Sequence, residues 1–411
     1  MYLTAMTQRE KLFKLAIRWL KGQLEPDDGR FLTLAFLIDH AITAPVLAQF
    51  LSDLAAPPGA ITRVDHLRVK GEVRGRIARA CACPGSRTRQ LLDLFRAYPE
   101  RFFPTTPVDL FAICGEGDDL AAMVRLKNLG RLADKVSRRA TARCEPEIRR
   151  RAEGLLSEPR RFGVDLGDHV LAKAERLVCL DLESGALALT PQDLQIDDLI
   201  GLKLIGGSSE LERLEAKVAA HPQVVSVRRS EHHGKYTDKR LDVELVRPGT
   251  DETVERLLAQ KWQPSSRGLN PDELRRAIPT YVEDSSKTFF VEVILTTWED
   301  LVESEFGRGL HEERTEKQRD GLRRAPQLSA NVAMTMMFML LVAIAPTTEV
   351  VRLPFRLSGR YLPDAMMAIL GNLFGLEIDR SPLWLPRLTE EQSVDFGSLN
   401  IDGAPVAASG G

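Results

Sequence analysis

The sequence predicts an α+β protein in three parts: an N-terminal all-helical domain over 1–158, a mixed-sheet α/β domain over 159–324, and a C-terminal segment over 325–411. Three observations carry that prediction. Apolar residues recur every three to four positions through the first part, the spacing of amphipathic helices. Short β-branched runs alternate with helical segments through the second, the pattern of a sheet covered by helices. The third opens on an apolar stretch, Val332–Ala345, whose 14 residues fall short of the roughly 20 that cross a bilayer and fit a buried core helix.

In the first part Leu12, Ala16, Trp19 and Leu20 mark one apolar stripe, and Arg30–Ile42, Pro45–Leu54, Gly71–Ala82 and Arg87–Ala97 repeat its spacing. Turn chemistry breaks the run at Glu25–Gly29, Ala56–Gly59, Pro84–Gly85 and Pro104–Pro107. Helices joined by short turns make a bundle or an irregular solenoid, a surface suited to a protein partner. Between Arg125 and Arg161 twelve Arg/Lys stand against five Asp/Glu. That excess reads either as a phosphate-binding surface or as a solvated helix face. No aromatic residues interleave for base stacking, which argues against nucleic acid.

In the second part Leu199–Ile205, Val224–Arg229, Leu241–Val246 and Phe289–Thr296 read as strands. Glu210–Ala220, Thr250–Ala259, Pro271–Ala277 and Trp298–Arg319 read as helices, and the proline-rich Gln263–Pro279 region as an insertion or loop. Past the core helix, Val350–Leu357 is a candidate strand, Asp364–Phe374 an apolar helix, and the stretch from Thr389 a poorly ordered tail.

Composition narrows the function classes. With 44% hydrophobic and 28% charged residues the chain resembles an ordinary soluble globular protein, and its net charge of −2 favours neither nucleic acid nor membrane surfaces. Five cysteines without paired C-x-x-C spacing argue for a reducing, cytoplasmic setting and against a disulfide framework or structural zinc. Met1–Gln23 reads as an amphipathic helix rather than a signal peptide. No G-x-x-x-x-G-K-[ST] loop or G-x-S-x-G elbow occurs, and Thr315 stands where a zinc-protease helix after His311 needs histidine.

The chemistry-bearing residues are acids on strands. Asp198 lies in Ile196–Ile205, Asp242 and Glu244 in Leu241–Val246, and Glu292 in Phe289–Leu295. An unpaired buried carboxylate costs several kcal/mol, so acids among aliphatic strand residues call for a cation. Residues two apart on a strand point the same way, so Asp242 and Glu244 could share one metal ion. The alternative is structural: solvent-facing acids on an edge strand, and Glu292 paired with Lys235 or Arg240.

The segment Asp198–Lys203 (DLIGLK) resembles the D-x-x-G-x-R signature of the RelA/SpoT-like (p)ppGpp synthetase family. Val291–Thr297 (VEVILTT) resembles that family's E-[IV]-Q-[VI]-R-[TS] strand, and Trp298–Arg314 its W-x-E-x-E-H helix. The resemblance spans residues 160–320. It implies a nucleotidyltransferase-like domain that binds nucleotides of the ATP/GTP class with magnesium and transfers pyrophosphate to a guanosine nucleotide. Residue by residue, it implies Asp198 as metal ligand, Glu292 as the second carboxylate, Lys203 as a phosphate contact, and Tyr236 of His233–Tyr236 as the ring stacked on guanine. The family's R-x-K-x-x-x-S-I-x-x-K segment, which cradles ATP phosphates, is placed on Gly163–Lys173, where Lys173 matches and Asp165 and His169 replace lysine and serine. Ile294 and Thr296 replace the later strand's glutamine and arginine.

A second reading within the broader nucleotidyltransferase superfamily takes Gly206–Ser209 as a glycine–serine turn, Asp242 and Glu244 as the acid pair, and Glu292 as the third acid. The 32 residues between Ser209 and Asp242 exceed that pattern's usual gap of about ten. Transfer chemistry, nucleotide binding without catalysis, and a non-enzymatic interaction protein with a structural α/β module all follow as expectations.

Overall fold

The computed structural model describes residues 1–54, 63–81, 85–115, 119–157, 167–233, 237–262, 270–307 and 325–344, with 353, 355–359 and 370–371. Two compact units divide the chain, Met1–Tyr361 and Leu362–Gly411, and the elements below belong to the first. The fold is α+β: a helical N-terminal region leads into a mixed seven-stranded sheet.

Helices α1 (Arg9–Leu20) and α2 (Asp28–Leu54) form that helical region. Three strands follow, β2 (Arg63–Val69), β3 (Pro107–Cys114) and β4 (Leu120–Leu126), with α3 (Lys70–Ala80) and α4 (Ser86–Ala97) between the first two. Helices α5 (Leu129–Ser157) and α6 (Gly167–Ser184) lead to β6 (Ile200–Ile205), α7 (Ser208–Ala220), β7 (Val224–His233) and β8 (Thr237–Val246). After α8 (Thr250–Ala259) and α9 (Pro271–Glu283) come β9 (Thr288–Thr296), α10 (Trp298–Phe306) and α11 (Pro326–Val342). The short strands β1 (Tyr2–Leu3) and β5 (Gln195–Ile196) pair in parallel outside the main sheet.

Sheet order is β2-β3-β4-β6-β9-β8-β7, with β6 and β9 parallel and every other neighbouring pair antiparallel. The expectation of helix throughout 1–158 is therefore corrected. That stretch contributes three of the seven strands and shares one sheet with the later ones. In β3, Leu110, Ala112 and Cys114 face one apolar cluster while Phe111 and Ile113 face another. With both faces buried, the two-residue alternation that reveals a strand disappears.

Two further expectations change. Arg30–Ile42 and Pro45–Leu54 are one helix, α2, which runs through Pro45. The expected helix Pro271–Ala277 is present as α9, which runs on to Glu283 and so takes Pro271–Pro279 out of the expected Gln263–Pro279 loop; the Asn270 side chain starts it by accepting from Asp272 N (2.9 Å). The candidate strand Val350–Leu357, the helix Asp364–Phe374 and Trp298–Arg319 beyond Gly307 fall wholly or largely outside the described residues.

The two faces of the sheet differ. One is largely apolar: Val124, Leu202, Val243, Val291 and Val293 pack under Leu47 and Phe50 of α2 and Val218 of α7, and Arg229 and Lys239 on the same face pair with Glu215 of α7. The other is apolar only at the β2–β4 side, where Ile77, Leu92, Leu301 and Phe306 from α3, α4 and α10 cover it. Helix α11 is buried all round against α5, α1, α6 and α2, with Phe338 against Trp19 (ring centroids 5.8 Å apart). Among the described residues α2 is the one helix long and apolar enough to cross a bilayer, and many of its apolar side chains, Ile38, Ile42, Leu47 and Phe50 among them, lie in the core clusters.

Candidate functional site

The remainder of that second face is charged. Cross-strand register aligns Arg125 (β4), Gly201 (β6), Glu292 (β9), Asp242 (β8) and Arg228 (β7) in one row. Direct cross-strand partners point to the same face. In the next row Lys203 and Arg240 flank Ile294. Five strands thus bring cations and acids to one strip, where α10 adds Glu305, 3.4 Å from Lys203 Nζ.

Glu292 is 5% exposed. Arg240 Nη1 lies 3.1 Å from its Oε1 and Arg125 Nη2 lies 3.8 Å from its Oε2. Arg240 also binds Asp242, with Nη2 at 2.8 Å and Nε donating at 2.9 Å, so one guanidinium bridges the two acids. Arg228 stands 3.6 Å from the other side of Asp242. Burial lowers the pKa of Arg240, but Glu292 and Asp242 outweigh it and keep the group firmly protonated. Glu244 shares their face without joining them: the hydroxyls of Ser226 (2.8 Å) and Thr288 (2.7 Å) donate to its carboxylate.

Asp198 sits in the turn before β6. Lys127 Nζ is 2.5 Å from its Oδ2 and Lys135 Nζ 2.6 Å from its Oδ1. Burial pushes this carboxyl up, yet the two ammonium groups overcome it and hold Asp198 well below the usual carboxylate range. Burial brings Lys127 down to about 8 against the pull of Asp198. The charge of Asp198 is felt at Arg240, so Asp198 and the Asp242–Glu292 pair belong to one electrostatic neighbourhood.

The expected site residues thus divide. Asp198, Lys203, Asp242 and Glu292 come together on the charged face, and Glu244 is satisfied by hydroxyls beside it. Tyr236 lies outside the described residues. Lys173 is exposed on α6 and shares none of the contacts just described, and Gly163–Leu166 lies outside the described residues. Arg125, Lys127 and Lys135 instead stand against the acids, Arg125 beside Glu292 and both lysines on Asp198. They meet the spacing R-x-K-x-x-x-S-I-x-x-K, with Leu132 at the isoleucine position and Arg131 at the serine. That spacing was present in the sequence, masked by the general basic excess of 125–161.

Gly206–Ser209 does not join the acids either. It follows β6 and opens α7, and five residues at about 3.3 Å each put Gly206 roughly 16 Å from the Gly201 row. The metal expectation meets a similar obstacle. Among the described residues no three of His, Cys, Asp and Glu stand together as metal ligands, and Arg240 occupies the space between Asp242 and Glu292. These residues do not build a resident metal centre.

No protein-family model, curated protein or solved structure matches the chain.

Proposed function

We propose that the charged sheet face binds a purine nucleoside polyphosphate and transfers a pyrophosphoryl or nucleotidyl group from it. One observation carries the reading. The two strands bearing the synthetase-like motifs are parallel neighbours with Gly201 opposite Glu292; Arg125, Lys127 and Lys135 stand against Glu292 and Asp198, and Lys203 projects from the same strip beside Glu305. Cations from three elements suit a phosphate chain, whose oxygens accept charge-assisted hydrogen bonds from Arg and Lys. Buried Glu292 is the group for activating an attacking hydroxyl, and the cations offset the charge that develops on the phosphates. Magnesium enters only as an ion carried by the ligand's phosphates, an arrangement that needs one or two protein carboxylates.

The test is incubation with labelled ATP and GTP or GDP, with and without magnesium, alongside nucleotide-dependent thermal shift. The expected result is a new labelled nucleotide and a raised Tm. Glu292→Gln should cut turnover at least about a hundredfold while leaving the unliganded Tm within a few degrees, since glutamine still accepts from Arg240. A competing reading, a non-enzymatic interaction protein engaged through its helical region, draws on the ion pairs: Asp198, Asp242 and Glu292 already have cationic partners. Neither product nor nucleotide-induced stabilisation from the wild type would favour that reading.

A further inference from the structure

Helix α11 is largely apolar, yet Asn331 on it is 1% exposed. A side-chain amide so buried is unfavourable unless its N–H groups find acceptors. Asn331 finds them outside the helix: Nδ2 donates to the carbonyl oxygens of Leu357 (2.6 Å) and Gly359 (2.7 Å). One turn earlier, Gln327 Nε2 donates to the carbonyl oxygens of Ser358 (3.1 Å) and Gly359 (2.7 Å). From α6, Glu183 accepts from Ser358 N (2.9 Å) through one oxygen and from Ser358 Oγ (2.9 Å) through the other.

Residues 356–359 themselves form a turn, closed by Gly359 N donating to the Arg356 carbonyl oxygen at 3.0 Å. A Cβ at Gly359 would stand 3.1 Å from that oxygen, closer than ordinary contact, so glycine suits the last position. Three consecutive carbonyls, one amide and one hydroxyl are thus held by three side chains from two helices. Such a seat recognises a backbone shape and one side chain, the serine. Its grip is mostly polar. Among residues 355–359 Leu357 is 2% exposed, whereas Phe355 is half-buried and Arg356 exposed. Glu183 and Gln327 are half-buried as well. Lifting the turn therefore uncovers little apolar surface and lets water reach the seat, the conditions for local opening without global unfolding.

We propose that Glu183, Gln327 and Asn331 form a binding site for a leucine–serine–glycine polypeptide turn, filled in cis by Arg356–Gly359, which is thereby a releasable latch. None of these residues belongs to the charged sheet face, so the latch stands or falls apart from the nucleotide reading. Trypsin added to the folded whole chain reports opening as cleavage after Arg356, since the protease needs the turn lifted from its seat. Ser358→Glu sets a carboxylate against Glu183. It should speed that cleavage about tenfold or more, with the Tm within a few degrees of wild type. Adding Glu183→Gln gives the new carboxylate an amide donor and should bring the rate back towards wild type. Ser358→Ala, which only deletes the hydroxyl, should raise the rate severalfold and carries the test if Ser358→Glu does not fold.

A fluorescent peptide of residues 353–361 tests recognition in trans. It should bind the opened Ser358→Glu chain saturably, and the wild type about tenfold or more weakly because the seat is taken. A tethered segment reaches roughly millimolar effective concentration at its seat, so a latch that closes must bind its free peptide in that range. Equal cleavage of wild type and the serine variants, no recovery with Glu183→Gln, or no saturable peptide binding up to millimolar concentration each overturns the latch.

Discussion

At Gly201 a missing side chain shapes the charged face. A Cβ built there would stand 3.4 Å from Glu292 Oε2 and 3.6 Å from Arg125 Nη2, ordinary contact distances with no room beyond them. Glycine inside a strand weakens packing and often marks a close approach by ligand or backbone. We expect Gly201→Ala to keep nucleotide binding near wild type. Gly201→Val, whose branches must push into the Glu292 carboxylate or the Arg125 guanidinium, should weaken it about tenfold or more with only a small change in Tm. Equal binding by both variants in titration calorimetry would remove Gly201 from the ligand's path. The same row explains Arg240. A guanidinium between Asp242 and Glu292 lets two acids sit opposite each other on a sheet, where like charges would otherwise repel.

Among the elements, α11 makes the clearest demand on its neighbours. It is buried along almost its whole length and has no acidic residue in its first turn, so its N-terminus must find acceptors elsewhere. Glu175 of α6 supplies one, accepting from Leu328 N at 2.6 Å while 3% exposed. Burial raises the pKa of Glu175, and the backbone donors Leu328 and Gln327 offset part of that rise. Replacing Glu175 with Ala should cost about 1.5–3 kcal/mol in chemical denaturation, the range for a hydrogen bond to a charged group. A loss within about 0.5 kcal/mol would mean water replaces the cap. Strands β3 and β4 and the α5 stripe illustrate what sequence pattern hides. Apart from Asp109 and Arg125 the two strands are apolar on both sides, so periodicity could not identify them. In sequence the stripe Lys135, Arg139 and Arg143 reads as undirected basic charge, whereas in space each residue meets an acid, Asp198, Asp197 and Asp193 in turn.

At the scale of the molecule, the first residues, α2 and α9 meet at Asp39. Its carboxylate accepts from Thr7 N (3.0 Å) and Oγ1, Gln8 N (3.4 Å) and Tyr281 OH (3.1 Å), and it is 2% exposed. Burial raises its pKa to about 6, only partly offset by these donors. Because the folded state holds this proton more tightly than the unfolded chain, folding is favoured below the unfolded value near 3.8. That contribution is lost as pH rises through about 6. Over this window wild type should lose on the order of 2–3 kcal/mol relative to Asp39→Asn, in which the titration is gone. Denaturant midpoints from pH 4 to 7 measure it, and parallel profiles for the two proteins would refute the assignment.

By itself the sequence determined local things: the later strands and helices, whose period survives because one face is wet or the segment is long, and the identity of the acids Asp198, Asp242 and Glu292. It also held the spacing of Arg125, Lys127 and Lys135, though not its meaning. Tertiary structure alone decided which strands are neighbours, that three strands of the first 158 residues join the same sheet, and that Arg240 stands between two carboxylates. The reason is physical. Periodicity reports how one segment meets water, whereas a charged row assembled from five strands depends on long-range register, which no single segment encodes.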